Sequence, residues 1–159
     1  MPRSTRVLAV LAPLWVGCAD DDAAVFVEPS IAAPSATVGT QTLGTSLAGS
    51  FQLMLHLGPR ASGPSEVGVG AFVVQSSDQQ TTFVSPLEVT ADRELPVTVE
   101  LDSDVDVGFS FDTAADLLPT ETAGELCGAG GLVISGAIED SLQDGATPVV
   151  SEVFIPSGC

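Results

Sequence analysis

The chain has 159 residues, enough for one ordinary domain and too few for two, with 21 acidic residues against 4 basic ones and a formal net charge of −17. That balance argues against nucleic acid, because a protein gripping phosphates needs Lys and Arg to displace counterions. The absence of Lys, Tyr and Asn removes P-loop, kinase and Ser–Lys chemistry and every Asn-linked glycosylation site.

Residues 1–6 carry two arginines and no acid, and residues 7–16 (VLAVLAPLWV) form an apolar run that ends at Gly17 and Cys18. A positive start followed by about 7–15 apolar residues describes a secretory signal peptide. A membrane-spanning helix needs about 20 apolar residues. Asp20, Asp21 and Asp22 stop the run well short of that, and Pro13 disfavours a long helix inside it.

Val16, Gly17 and Cys18 match the last three positions of a lipobox, with Trp15 where Leu is usual. In these residues the chain resembles a bacterial lipoprotein precursor. The resemblance implies cleavage before Cys18 and a lipid on its sulphur. Ala19 does not look like the inner-membrane retention residue of such precursors, so the resemblance further implies the outer membrane. The alternative is an ordinary secretory peptide cut after Ala19 at a G-x-A site, giving a soluble secreted chain.

With Cys18 lipidated, one pair of cysteines is left, Cys127 and Cys159, and export implies a compartment in which they can form a disulfide. No CxxC or His-rich cluster accompanies either, which disfavours a zinc site. Removal of residues 1–17 leaves Arg60 and Arg93 against all 21 acids. Such a body is soluble and self-repelling, and the lipid alone would hold it at an anionic membrane.

Residues 19–34 (ADDDAAVFVEPSIAAP) show no sustained periodicity and read as a flexible acidic tether. A weak strand is expected within 36–43, and a clear one at 50–57, where Phe51, Leu53, Leu55 and Leu57 alternate with Gln52, Met54 and His56. Further strands are expected at 67–75, 82–90, 95–101, 104–112, 132–138 and 149–155, with Asp144-Gly145 in the last turn. The main helical candidate is 112–118, stopped by Pro119, and 122–127 could add one more turn. Gly128 to Gly131 read as a flexible lead-in to the next strand, since a phosphate cradle would need a helix after it.

Seven to eight short strands spaced by turns predict an all-β fold, a single β-sandwich of immunoglobulin-like topology. Several hallmarks are missing: the one Trp is Trp15, there is no Tyr corner, and Cys127 and Cys159 bracket only the last third of the chain. The expected division is a signal peptide at 1–17, a lipidated Cys and tether at 18–34, and the sandwich at 35–159.

Chemistry is sparse. His56 is the only histidine, no G-x-S-x-G elbow accompanies it, and Ser135 sits inside an expected strand, so His56 reads as a half-exposed sheet residue. Asp102, Asp104 and Asp106 look at first like a calcium loop. An EF-hand needs Gly at its sixth position and Glu at its twelfth, and Val107 and Thr113 stand there. If Val105, Val107, Phe109 and Phe111 face inward, the aspartates face solvent about 7 Å apart, too far to share one ion easily. Convergence of Asp102 and Asp104 with Asp78 or Asp92 would be the remaining route to calcium.

The resulting expectation is a lipid-anchored, non-catalytic binding or structural module of the cell envelope, needing no cofactor, with an envelope protein or glycan as partner. A calcium-dependent adhesion or carbohydrate-binding module is the alternative, although only Phe is available for stacking on sugar. A secreted hydrolase using His56 is the third reading.

Overall fold

In a computed structural model of the chain, residues 23–159 are described. The expected signal peptide and Cys18 lie outside the described residues. Two 14-residue strands, β1 (Glu28–Gln41) and β2 (Gly44–Leu57), form an antiparallel hairpin that runs from Glu28 opposite His56 to Gln41 opposite Gly44. The alternation in β2 works as expected: Phe51, Leu53, Leu55 and Leu57 are buried.

The tether expected at 18–34 is corrected over its described part, residues 23–34. Ala24, Val27 and Ile31 are buried, and β1 starts at Glu28, so the domain does not begin at residue 35. Its periodicity was masked in the sequence by Pro29, Pro34 and small residues. The register also shifts between Ala32 and Ser35, where Ala33 has φ 48° and Pro34 offers no N–H to the ladder.

Beyond β2 come β3 (Ser65–Val69), β4 (Phe72–Ser76), β5 (Thr82–Leu87), β6 (Thr90–Ala91), β7 (Val97–Val99) and β8 (Ser103–Asp112). A short helix α1 (Thr122–Gly128) precedes β9 (Leu132–Asp140) and β10 (Ala146–Val150). The strand expected at 67–75 is two strands, broken at Gly70-Ala71, where the Gly70 N–H still reaches the Ala137 carbonyl at 2.8 Å. The helix expected at 112–118 is absent. β8 runs on to Asp112, whose carboxylate accepts the Ala114 N–H at 2.8 Å, and too few residues remain before Pro119; the helical turn is the second candidate.

One sheet has the order β1-β2-β8-β6 and the other β5-β4-β9-β3-β7, with β10 on the opposite edge of β9. Because β3 and β4 pair with successive stretches of β9, they act as one interrupted strand. With β3 and β4 counted as one strand and the edge strands β5 and β7 set aside, β1-β2-β8-β6 run first-second-fifth-fourth and face a sheet built around the third strand and the last two, β9 and β10. That is the layout of an immunoglobulin-like β-sandwich.

The sheets meet in a buried apolar core centred on three rings: Phe51 and Phe109 from one sheet, with centroids 5.1 Å apart, and Phe72 from the other, 4.9 Å and 5.4 Å from them. With no Trp among the described residues, this Phe cluster supplies the aromatic centre of the core. Gly136 makes room for it, since a Cβ there would stand 2.4 Å from Phe72 Cδ1.

After β10 the chain continues as a strap, residues 151–159, that joins the two sheets along one side. It bridges antiparallel to β9 at Leu132–Phe154 and parallel to β1 at Ile31–Ser151 and Thr37–Ser157. The other flank ends in a two-residue strand, β6, and in β5, which carries Pro86 and shifts register against β4. Short edges, prolines and bulges are the means by which sheets avoid pairing with neighbouring chains.

Candidate functional site

The outer face of the β1-β2-β8-β6 sheet carries three of the residues singled out in the sequence, His56, Asp104 and Asp106. Register places Glu28 on β1 and Asp104 on β8 on either side of His56, and His56 Nδ1 lies 2.8 Å from Asp104 Oδ1. His56 is half-buried and Asp104 exposed. The pair is a cross-strand contact on an open sheet, with the carboxylate-bearing residues Glu28 and Asp104 directly opposite His56 on the two neighbouring strands.

The three aspartates do not converge. Asp102 occupies a tight turn between β7 and β8 with φ 54°, a conformation that Asp tolerates. Asp104 engages His56, and Asp106 stands opposite Met54. Asp78 is committed elsewhere: its Oδ1 accepts the Ser76 hydroxyl at 2.6 Å and the Gln80 N–H at 3.1 Å. Those two bonds hold its carboxyl below the usual value. Among the described residues, no three His, Cys, Asp or Glu side chains are grouped so as to hold a metal ion.

Further along the same face lies a shallow hollow of about 420 Å³ whose floor is β2 and β8, with polar lining from Ser50, Gln52, Thr90, Asp92 and Ser110. Gly108 has no side chain to fill it, and Asp92 stands over that glycine, its N–H donating to the Gly108 carbonyl at 2.9 Å. Arg93 Nε lies 3.4 Å from the Asp92 carboxylate. The aromatic residues of the lining, Phe51 and Phe109, belong to the core and offer no flat ring to a sugar. The hollow can exchange hydrogen bonds with a polar partner; His56 does not line it.

Two other features fix the domain's ends. Cys127 and Cys159 are joined in a disulfide, with Cα atoms 5.6 Å apart. Gly158, at φ 83°, permits the approach, since a Cβ there would lie 2.2 Å from the Val38 carbonyl oxygen.

Asp140, which the sequence does not single out, is only 4% exposed. Its Oδ1 accepts the Ser65 hydroxyl and the Leu142 N–H, and its Oδ2 accepts the Val27 N–H at 2.8 Å and the Gln143 amide at 3.4 Å. Burial pushes this carboxyl up, and the hydrogen bonds from Ser65, Leu142, Val27 and Gln143 outweigh burial and hold it below the usual value. It clasps the start of β1 to β3 and to the β9–β10 turn. Nothing in the local sequence signals this, because Val27 and Ser65 are 113 and 75 residues away.

No protein-family model matches the chain, and no curated protein sequence does. Among solved structures the chain is similar to the ASH / PapD-like domain of human CEP192 (PapD-like domain 7), at 14% sequence identity over 97% of this chain and 96% of that one, with a TM-score of 0.31. The fold assignment rests on the strand order within the two sheets.

Proposed function

We propose that the protein is an exported β-sandwich, lipid-anchored through Cys18 at the outer membrane of a bacterial envelope, and that it acts as a non-catalytic binding or structural module. The observation that carries the module half is the open outer face of the four-stranded sheet, with its polar hollow around Gly108. The site of His56 supports the same reading, since acids stand opposite it in register and the hollow lies elsewhere. The anchor half is supported by the apolar run that ends at Val16, Gly17 and Cys18.

The fold changes what the anchor would do. Among the described residues burial begins at Ala24, six positions after Cys18. Six extended residues reach roughly 20 Å, so the lipid would hold the sandwich against the bilayer surface rather than far above it.

Intact mass of the membrane-extracted protein tests the anchor: a chain starting at Cys18 and carrying acyl mass is expected, and a chain starting at Asp20 without lipid overturns it. For the module, a photo-cross-linker at exposed Gln52 is expected to capture a discrete envelope partner. The doubly substituted Ser50→Arg/Ser110→Arg protein, which crowds the hollow, is expected to lose that capture. Equal capture by both proteins would refute a role for this face.

A further inference from the structure

The disulfide is more than a staple. Cys127 and Cys159 are both exposed, so a thiol in solution can reach the bond. An accessible disulfide is far more open to exchange than a buried one. On one side of the bond, Cys127 sits on α1, which is pinned to the core through the fully buried Leu126. On the other side, Cys159 belongs to the strap, which has little core of its own. Its Val153 and Ile155 are 55% and 72% exposed, Phe154 is only partly buried, and Pro156 alone among its apolar side chains is buried.

Backbone bonding does most of the rest. Ser157 donates to the Ala36 carbonyl at 2.9 Å and accepts from the Val38 N–H at 2.8 Å, while Phe154 and Leu132 exchange bonds at 2.8 and 3.0 Å.

We propose that Cys127–Cys159 is a redox-cleavable latch, a thiol–disulfide exchange site for a dithiol reductant, whose opening releases the strap while the two sheets stay folded. In the exchange, a thiolate of the reductant attacks one cystine sulphur and forms a mixed disulfide. The other cysteine leaves as a thiolate and takes up a proton. The second thiol of the reductant then displaces the first cysteine, giving two protein thiols and an oxidised, cyclic reductant. Release uncovers the β1 edge at Ala36 and Val38 and the β9 edge at Leu132, a row of backbone donors and acceptors that the strap now occupies.

The test uses dithiothreitol on the folded protein without denaturant, followed by intact mass and amide hydrogen exchange. A gain of two hydrogens is expected, with exchange at Val38, Leu132, Phe154 and Ser157 faster by about tenfold or more. Amides within β2 and β8 are expected to keep their protection. The substitution Cys159→Ser is expected to give the same local pattern before any reductant is added and no further change after it. Reduction that requires denaturant would overturn the proposal. So would acceleration spread evenly over both sheets, or unchanged exchange along the strap.

Discussion

Replacing Asp140 by Asn tests the reading of this residue as a clasp, because it keeps the side chain's size and removes its charge. In the native site four donors converge on two oxygens, and Oδ2 serves the Val27 N–H at 2.8 Å and the Gln143 amide at 3.4 Å. Asn keeps one acceptor and turns an NH₂ toward either that pair or Ser65 and Leu142. A donor then faces donors, at least one buried N–H or hydroxyl is left unpaired, and the surviving bonds lose charge assistance. Unpairing one buried donor costs about 1–3 kcal/mol, and bonds to a charged acceptor are each worth about 1.5–3 kcal/mol. Relief from burying a charge offsets part of this, so the expected loss is about 2–3 kcal/mol at pH 7.

Urea unfolding at constant m reads that loss. The pH dependence gives a second check. The carboxyl is held low in the fold, so between its folded value and the unfolded value near about 3.9 only the unfolded chain binds the proton, and stability rises with pH there. The contribution is therefore complete above the unfolded value and is lost as pH falls through the folded one. The gap between wild type and Asp140→Asn should narrow below about pH 4. A gap below about 0.5 kcal/mol at pH 7, or one that stays constant on acidification, would refute the reasoning.

Gly136→Ala drives a methyl into the Phe72 ring and is expected to cost about 1–3 kcal/mol by overpacking, read as a lower urea midpoint. His56→Ala removes a contact on an open sheet face and is expected to change stability by less than about 1 kcal/mol in the same assay. Millimolar calcium is expected to leave the melting temperature where chelator leaves it, since Asp102, Asp104 and Asp106 diverge; a rise of more than about 3 °C, the effect of a ligand at roughly ten times its Kd, would reverse that assignment. Removing the disulfide by Cys127→Ser with Cys159→Ser is expected to lower global stability by at most about 4 kcal/mol on the chain-entropy model, and by less where the strap opens on its own.

The strands that could be read from the sequence are those whose burial is local. The second half of β2 and all of β8 present one face to the core, so their alternation is legible, and register then sets Phe51 beside Phe109 and Leu53 beside Val107. β1 escaped because its first half is interrupted by two prolines and a bulge, and Ile31 is recognisable as core only once Leu53 stands opposite it. The break between β3 and β4 depends on both pairing with β9, a strand some 60 residues later. Asp140 was opaque for the same reason: a carboxylate beside a turn looks solvated until distant donors enclose it. The cysteines were different. Once the lipoprotein resemblance sets Cys18 aside for a lipid, counting leaves Cys127 and Cys159 to each other, and the structure pairs them.

β1 ties these features together. Its start is clasped by Asp140 through the Val27 N–H, its middle is paired with the strap through Ala36 and Val38, and its whole length is paired with β2. If Cys18 carries the proposed lipid, any pull between membrane and domain enters the fold at this strand, a few residues before the clasp. A force along β1 loads the β1–β2 ladder and the strap in shear, so many hydrogen bonds must yield together. Loss of Asp140 would let the start of β1 peel first, one pair at a time. The clasp and the latch thus hold two stretches of the same strand, its start and its middle, and they should be separable: Asp140→Asn should speed exchange around Val27 and Ser65 and leave Ser157 protected, while reduction should do the reverse.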